Sequence, residues 1–168
     1  MKTPYAVLLL LLCAGLACAG EAALFKRNHV AVAVTVRGAG DAAEIVAVFT
    51  PEAGPKPLHL YAKDHDGQGG GVATRIWLPP GSPLTARGPL DDGGLPVKQV
   101  QNLPVYPDGP VTLTLPVRIP AGAPATVPVL ISYMACTDTD CKMPVPKAEL
   151  SLPLPAAPPE PSPPPGPQ

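Results

Sequence analysis

Charge is scarce in this sequence and nearly balanced. Of its 168 residues only 15% are Asp, Glu, Lys or Arg, and the formal net charge is −1. Without a basic excess there is no electrostatic footprint for nucleic acid or for an anionic membrane surface. Beyond the first twenty residues no apolar run approaches the roughly 20 residues that a transmembrane helix needs. No long segment repeats its apolar residues with the 3.6 period of an amphipathic helix, so a helical bundle is excluded. Gly69-Gly70-Gly71 lacks a following Lys and lies between candidate strands, which removes the phosphate-loop reading. No Ser, His and Asp set stands out, so hydrolase chemistry has no support. The three histidines, His29, His59 and His65, have no metal-type spacing, and none is assigned a catalytic role. His59 alternates with Leu58 and Leu60 and reads as a strand surface residue.

Cysteine is also sparse, with four in the chain, and two of them fall in an amino-terminal segment of distinct character. Lys2 is followed by an apolar run from Ala6 to Leu12 and by small residues from Cys13 to Gly20. That is the layout of a secretory signal peptide, here residues 1–19, with cleavage expected after Ala19. An alternative is lipid anchoring at Cys18, although Gly15 stands where a lipidation box usually has Leu. Removing residues 1–19 takes away Lys2 and no acid, leaving 11 basic and 13 acidic side chains and a formal charge of −2. The mature chain is therefore expected to be periplasmic or otherwise exported. It should lack a transmembrane segment and be soluble or tethered only by lipid.

Residues 25–154 have the length of one domain, about 130 residues. Val30, Val32, Val34 and Val36 alternate along His29–Arg37, and a turn at Gly38-Ala39-Gly40-Asp41 leads into a second run, Glu44–Thr50. These two predict an antiparallel hairpin. Further strands are predicted at Leu58–Lys63, Ala73–Leu78, Val111–Ile119, Val127–Ala135 and Lys147–Leu154, with Pro116 marking an edge or a bulge. Seven short strands with regular turns predict an all-β, immunoglobulin-like two-sheet sandwich. Residues 79–110 are rich in Gly, Pro and Asp and read as irregular, with one short strand near Lys98–Val100. Nine of the sixteen residues from Pro153 to Gln168 are proline, so residues 155–168 are expected to form a disordered, extended Pro-rich tail. Lys63-Asp64-His65-Asp66-Gly67 matches part of a calcium loop, but Gln68 and glycines stand where further acids are needed. It reads as a solvated turn.

The remaining cysteines, Cys136 and Cys141, are separated by four residues in the loop between the last two predicted strands. A disulfide closing a loop of about 6 residues contributes only ~2 kcal/mol on the chain-entropy model, less than half of what a domain-spanning bond would. The pair is therefore a poor staple and a workable redox switch. Two other readings remain open. One is a structural disulfide in a secreted binding module, since most extracellular pairs are structural. The other is a Cu(I) site built from Met134, Cys136, Cys141 and Met143, a soft thioether and thiolate set. Asp138 and Asp140 should raise nearby thiol pKa values, and Lys142 should lower that of its neighbour if it points that way, which favours Cys141 as the more acidic thiol.

The segment Val129-Leu-Ile-Ser-Tyr133-Met-Ala-Cys136-Thr-Asp-Thr-Asp-Cys141-Lys-Met-Pro144-Val-Pro146 resembles the amino-terminal periplasmic domain of the thiol:disulfide interchange protein DsbD. A strand ends in Tyr, a close cysteine pair follows, and prolines come just after it. Weaker similarity runs upstream through Leu58-His-Leu-Tyr61, Thr74-Arg-Ile-Trp-Leu-Pro-Pro80-Gly81, Val105-Tyr106-Pro-Asp108 and Leu113-Thr-Leu-Pro-Val117. The resemblance implies an immunoglobulin-like sandwich in which Cys136 and Cys141 are the redox pair. Cys141 would form the mixed disulfides with partners and Cys136 would resolve them. It implies electron transfer from a membrane-embedded thiol:disulfide reductase to periplasmic thioredoxin-fold proteins, with no organic cofactor. It gives Tyr61 and Tyr133 a place near the pair. The family's cap loop usually carries an aromatic residue; the stretch assigned to it, Ser82–Leu95, has none, so Leu84, Leu90 and Leu95 are the candidates to cover the cysteines. The resemblance does not extend to the membrane and thioredoxin-like domains, so either the reductant is a separate protein or the domain has lost the relay function.

Overall fold

The computed structural model describes residues 21–156. The expected signal peptide, with Cys13 and Cys18, and residues 157–168 of the Pro-rich segment lie outside the described residues. Twelve strand segments follow in order: β1 (Ala23–Arg27), β2 (Val30–Arg37), β3 (Ala43–Pro51), β4 (His59–Leu60), β5 (Arg75–Trp77), β6 (Thr85–Ala86), β7 (Lys98–Val100), β8 (Leu103–Val105), β9 (Val111–Arg118), β10 (Thr126–Tyr133), β11 (Ala135–Cys136) and β12 (Val145–Pro153). One 3-10 turn, Gly40–Ala42, joins β2 to β3. Among the described residues no helix is long and apolar enough to cross a membrane.

All seven predicted runs contain strands, and the sandwich expectation holds. The first sheet has the order β1-β2-β3-β9-β6. Its β2–β3 hairpin pairs in unbroken register from Val30 opposite Pro51 to Arg37 opposite Glu44. Gly38 makes the turn possible: it sits at φ +73°, and a Cβ there would lie 2.4 Å from the Ala42 carbonyl oxygen. Pro116 lies in β9 opposite Glu44 of β3. Its carbonyl accepts from the Arg87 amide on the other side, and a strand residue points its carbonyl and its amide position the same way. The missing N–H therefore faces only the short β6 segment, where little pairing is lost.

The second layer is built around β10, which pairs with β12 on one side and β5 on the other. Its register shifts between Ile131 and Tyr133, and the chain then continues as β11, which changes partner to β4. β4 is linked to β8 through Tyr61 opposite Val105, and β8 pairs with β7. The inward residues of the two layers form one core. Val30, Val32, Val34 and Val36 of β2 share one buried cluster with Val127, Val129 and Ile131 of β10, and these seven are at most 1% exposed. Phe49 and Tyr133 meet edge to face at 5.8 Å between ring centroids, and the Tyr133 hydroxyl donates to the Arg27 carbonyl at 2.8 Å.

Three segments depart from the expectation. β1 was not foreseen, because its hairpin with β2 turns at Asn28 and His29, both at positive φ. β7 is the short strand expected near Lys98–Val100, but its partner β8 was not foreseen; the two form a hairpin turning at Gln101 and Asn102 with φ of 51° and 64°. Such two-residue turns ordinarily announce themselves by Gly, and neither of these contains one. β6 is two residues long and carries no pattern to read.

Phe49 is fully buried at the centre of the core. Phe49→Ala is expected to cost about 3–5 kcal/mol, measured as the change in unfolding free energy from urea titration; a loss below 1 kcal/mol would contradict a single packed core.

Candidate functional site

Strand alternation builds the site. Leu60 and Ala135 are opposite each other in the β4–β11 pair and both turn into the main core. Their neighbours His59 and Cys136, also opposite each other, must then turn to the other face of that sheet. Tyr61 and Val105 join Cys136 there in a second, smaller apolar cluster, with Val100, Leu103 and Met134 packed against it.

Cys136 and Cys141 face each other across an antiparallel bridge and are joined by a disulfide with an S–S distance of 2.06 Å. The intervening residues make a tight turn. The Thr137 amide donates to the Asp140 carbonyl at 2.8 Å, the Lys142 amide donates to the Ala135 carbonyl at 2.8 Å, and Thr137 Oγ1 accepts from the Asp140 amide at 3.0 Å. The two cysteines differ in exposure: Cys136 is 2% exposed, whereas Cys141 is an exposed residue.

The cover over the pair is the β7–β8 hairpin. His59, Tyr61, Val100, Gln101, Leu103, Val105, Cys136, Cys141 and residues 137–139 enclose a cavity of about 60 Å³, and Gln101 Nε2 donates to the Asp138 carbonyl at 3.0 Å. The expected cover is corrected accordingly. Leu84 is buried in the main core, and Leu90 and Leu95 pack against that same core rather than against the cysteines. The Ser82–Leu95 stretch is instead held at Asp92, which accepts from the Tyr106 hydroxyl at 3.0 Å and pairs with Lys63 at 3.2 Å.

Of the two tyrosines expected near the pair, only Tyr61 is there. Its hydroxyl lies 3.7 Å from Cys136 Sγ and 4.0 Å from Cys141 Sγ, and since disulfide sulfurs carry no proton, the hydroxyl is the only donor available. Burial raises the Tyr61 pKa, so it remains a phenol and a donor. Tyr133 belongs to the core contact with Phe49. Tyr61 is held by its surroundings: its ring stacks on His65 at 4.8 Å. His65 Nε2 is 2.7 Å from the Gly70 carbonyl, to which it donates. Gly71 closes the loop at φ +98°, where a Cβ would come within 2.8 Å of the Tyr61 ring. The glycine run thus lets the backbone close over Tyr61.

The 63–71 loop is solvated at Asp64 and Asp66 but not at His65, which is 3% exposed. Among the described residues no group of three or more His, Cys, Asp or Glu side chains converges as a metal site. The two methionines flanking the pair separate. Met134 packs into the small cluster, while Met143 is 75% exposed and lines another depression with Asn28, His29, Glu52 and Lys142. Lys142 is not among the residues lining the cysteine cavity, and Cys141 is set apart from Cys136 by its exposure.

His59 also departs from expectation. It is 4% exposed instead of a surface residue, because the hairpin and the cysteine turn cover the outer face of β4. Its Nδ1 lies 3.9 Å from Asp108 and 4.0 Å from Asp138. Burial is the largest influence on its pKa and lowers it, against the opposing pull of the two carboxylates.

The sequence matches no family model and no curated protein. The chemistry therefore rests on the site itself: an exposed cysteine bonded to a buried one, in a short turn, beneath a small hairpin.

Reducing the Cys136–Cys141 bond is expected to lower the unfolding free energy by about 2 kcal/mol, read from urea titrations with and without reductant. A loss of about 4–5 kcal/mol, the size for a loop of around 100 residues, would identify a staple instead.

Proposed function

We propose that this chain is an exported thiol:disulfide exchange domain whose Cys136 and Cys141 alternate between dithiol and disulfide. The observation that carries the reading is the asymmetry of the bonded pair, with Cys141 at the surface and Cys136 buried. An exchange centre needs one sulfur that a partner can reach and a second, protected sulfur that releases the partner. The sequence resemblance to the amino-terminal domain of DsbD supports the same roles, with a membrane-embedded reductase as donor and periplasmic thioredoxin-fold proteins as acceptors.

In the reducing direction, Cys141 thiolate attacks one sulfur of the acceptor's disulfide. A Cys141–acceptor S–S bond forms as the acceptor's own bond breaks, and the displaced thiolate takes up a proton. Cys136 then attacks Cys141 Sγ, which reforms the internal bond and releases the acceptor's second sulfur. Two electrons leave the pair and the acceptor disulfide becomes a dithiol. Tyr61 is placed to donate a hydrogen bond to whichever sulfur carries negative charge, and the apolar residues around Cys136 keep unrelated thiols away from it.

Two measurements test the reading. Equilibration with glutathione or dithiothreitol buffers is expected to give a reduction potential above about −300 mV; a value well below that identifies a resistant structural bond and rejects exchange. Cys136→Ala in cell extract is expected to accumulate mixed disulfides at Cys141, because nothing resolves them. If Cys141→Ala accumulates them instead, the two roles are reversed.

A further inference from the structure

The exchange cycle leaves one chemical problem unsolved. Cys136 must become a thiolate to resolve the mixed disulfide, yet it lies in an apolar cluster with Tyr61, Val105, Val100, Leu103 and Met134. Burial in such surroundings raises a thiol's pKa and suppresses the nucleophile. Tyr61 cannot correct this by accepting the proton, since its own ionisation is also suppressed by burial. A base is needed on the buried side of the pair.

The residue directly across the strand from Cys136 is His59. Opposite residues of an antiparallel pair have Cβ atoms about 4.5–5.5 Å apart on the same face. Both residues line the same cavity of about 60 Å³, room enough for at least one water. A water in that cavity gives the proton a path between them, the one-water reach allowed to a general base.

We propose that His59 is the general base that deprotonates Cys136 in the resolving step. This rests on the exchange reading given above. The imidazole takes the Cys136 thiol proton, and the thiolate's electron pair forms the bond to Cys141 Sγ. The Cys141–acceptor bond breaks with its electrons on the acceptor's sulfur, and the imidazolium returns its proton to that sulfur.

The surroundings suit this cycle. Asp108 after β8 and Asp138 in the cysteine turn stand 3.9 and 4.0 Å from His59 Nδ1, near enough to stabilise the imidazolium as it forms. Lys98 of β7 opposes them but is drawn to Asp108, at 3.9 Å. Tyr61, which shares the cavity, is neutral. With burial as the largest influence, His59 titrates below its usual 6.5, so at neutral pH it is uncharged and able to accept a proton. As pH falls through its pKa the imidazole becomes protonated, and the resolving step slows.

The experiment uses the full mature chain, reduced and mixed with 5,5′-dithiobis(2-nitrobenzoate). The first thionitrobenzoate release reports attack by Cys141 and the second reports resolution by Cys136. In the wild type the second phase should slow on acidification with an inflection below pH 6.5. His59→Gln should slow that phase about 100-fold at neutral pH, abolish the inflection and leave the first phase unchanged. A second phase without the inflection in the wild type overturns the proposal, and needs no variant to fold. So does His59→Gln with an unchanged second phase, or with both phases slowed equally. The probe reads chemistry within the pair, so this result is independent of the potential and trapping measurements that decide the exchange function.

Discussion

The structure depends on one strand being buried from all sides. From Val127 to Cys136 the chain is enclosed by β12 on one edge, by β5 and then β4 on the other, and by the first sheet across the core. A strand so enclosed must satisfy its backbone groups on both edges, and no single neighbour runs its full length. The register shift after Ile131 is where the chain passes from one set of partners to the next. The alternation continues unbroken through that shift, with Ile131, Tyr133 and Ala135 in the core and Cys136 on the opposite face, so parity sets the cysteine's face and the change of partner to β4 sets what lies beside it.

The site inherits its character from this placement. Cys136 belongs to the buried strand and Cys141 to the turn that leaves it, so one disulfide has a protected end and an exposed end. Its cover is a six-residue hairpin, Lys98–Val105 less its two-residue turn, which is anchored by main-chain pairing to the β4 region and by Gln101 to the cysteine turn. The pair contributes little as a cross-link, because the loop it closes is short. Its two cysteines differ in exposure, and the proposed exchange reading rests on that difference.

Much of this was legible in the sequence. The alternation of Val30 to Val36 and of Leu113 to Val117, the Gly38 turn, and the length of the apolar run ending at Cys136 define strands through local pattern alone, because a residue's face in a strand depends only on parity. The choice of an all-β sandwich follows from the number and spacing of those runs. Pro116 marked the weakly paired side of β9, which is not itself an edge strand, since the two-residue β6 lies beyond it. The pairing of Cys136 with Cys141 was legible as well, since four intervening residues leave little freedom to place them far apart.

What parity could not reveal is which faces are covered. His59 alternates with two leucines and so looks like a surface residue, yet it is buried by β7–β8 and the cysteine turn, which lie about 40 and 80 residues further along the chain. The same hairpin, and not the leucines of Ser82–Leu95, covers the disulfide, because those leucines reach the main core first. Gly69 to Gly71 have no local meaning until Tyr61 and His65 are seen beneath them. The sequence by itself determined the seven main strand runs, the sandwich and the cysteine pair, since these arise from short-range periodicity and spacing. Only the tertiary structure decided which sulfur is accessible, what shields the other and which histidine stands beside it, since those depend on contacts between segments with no common pattern.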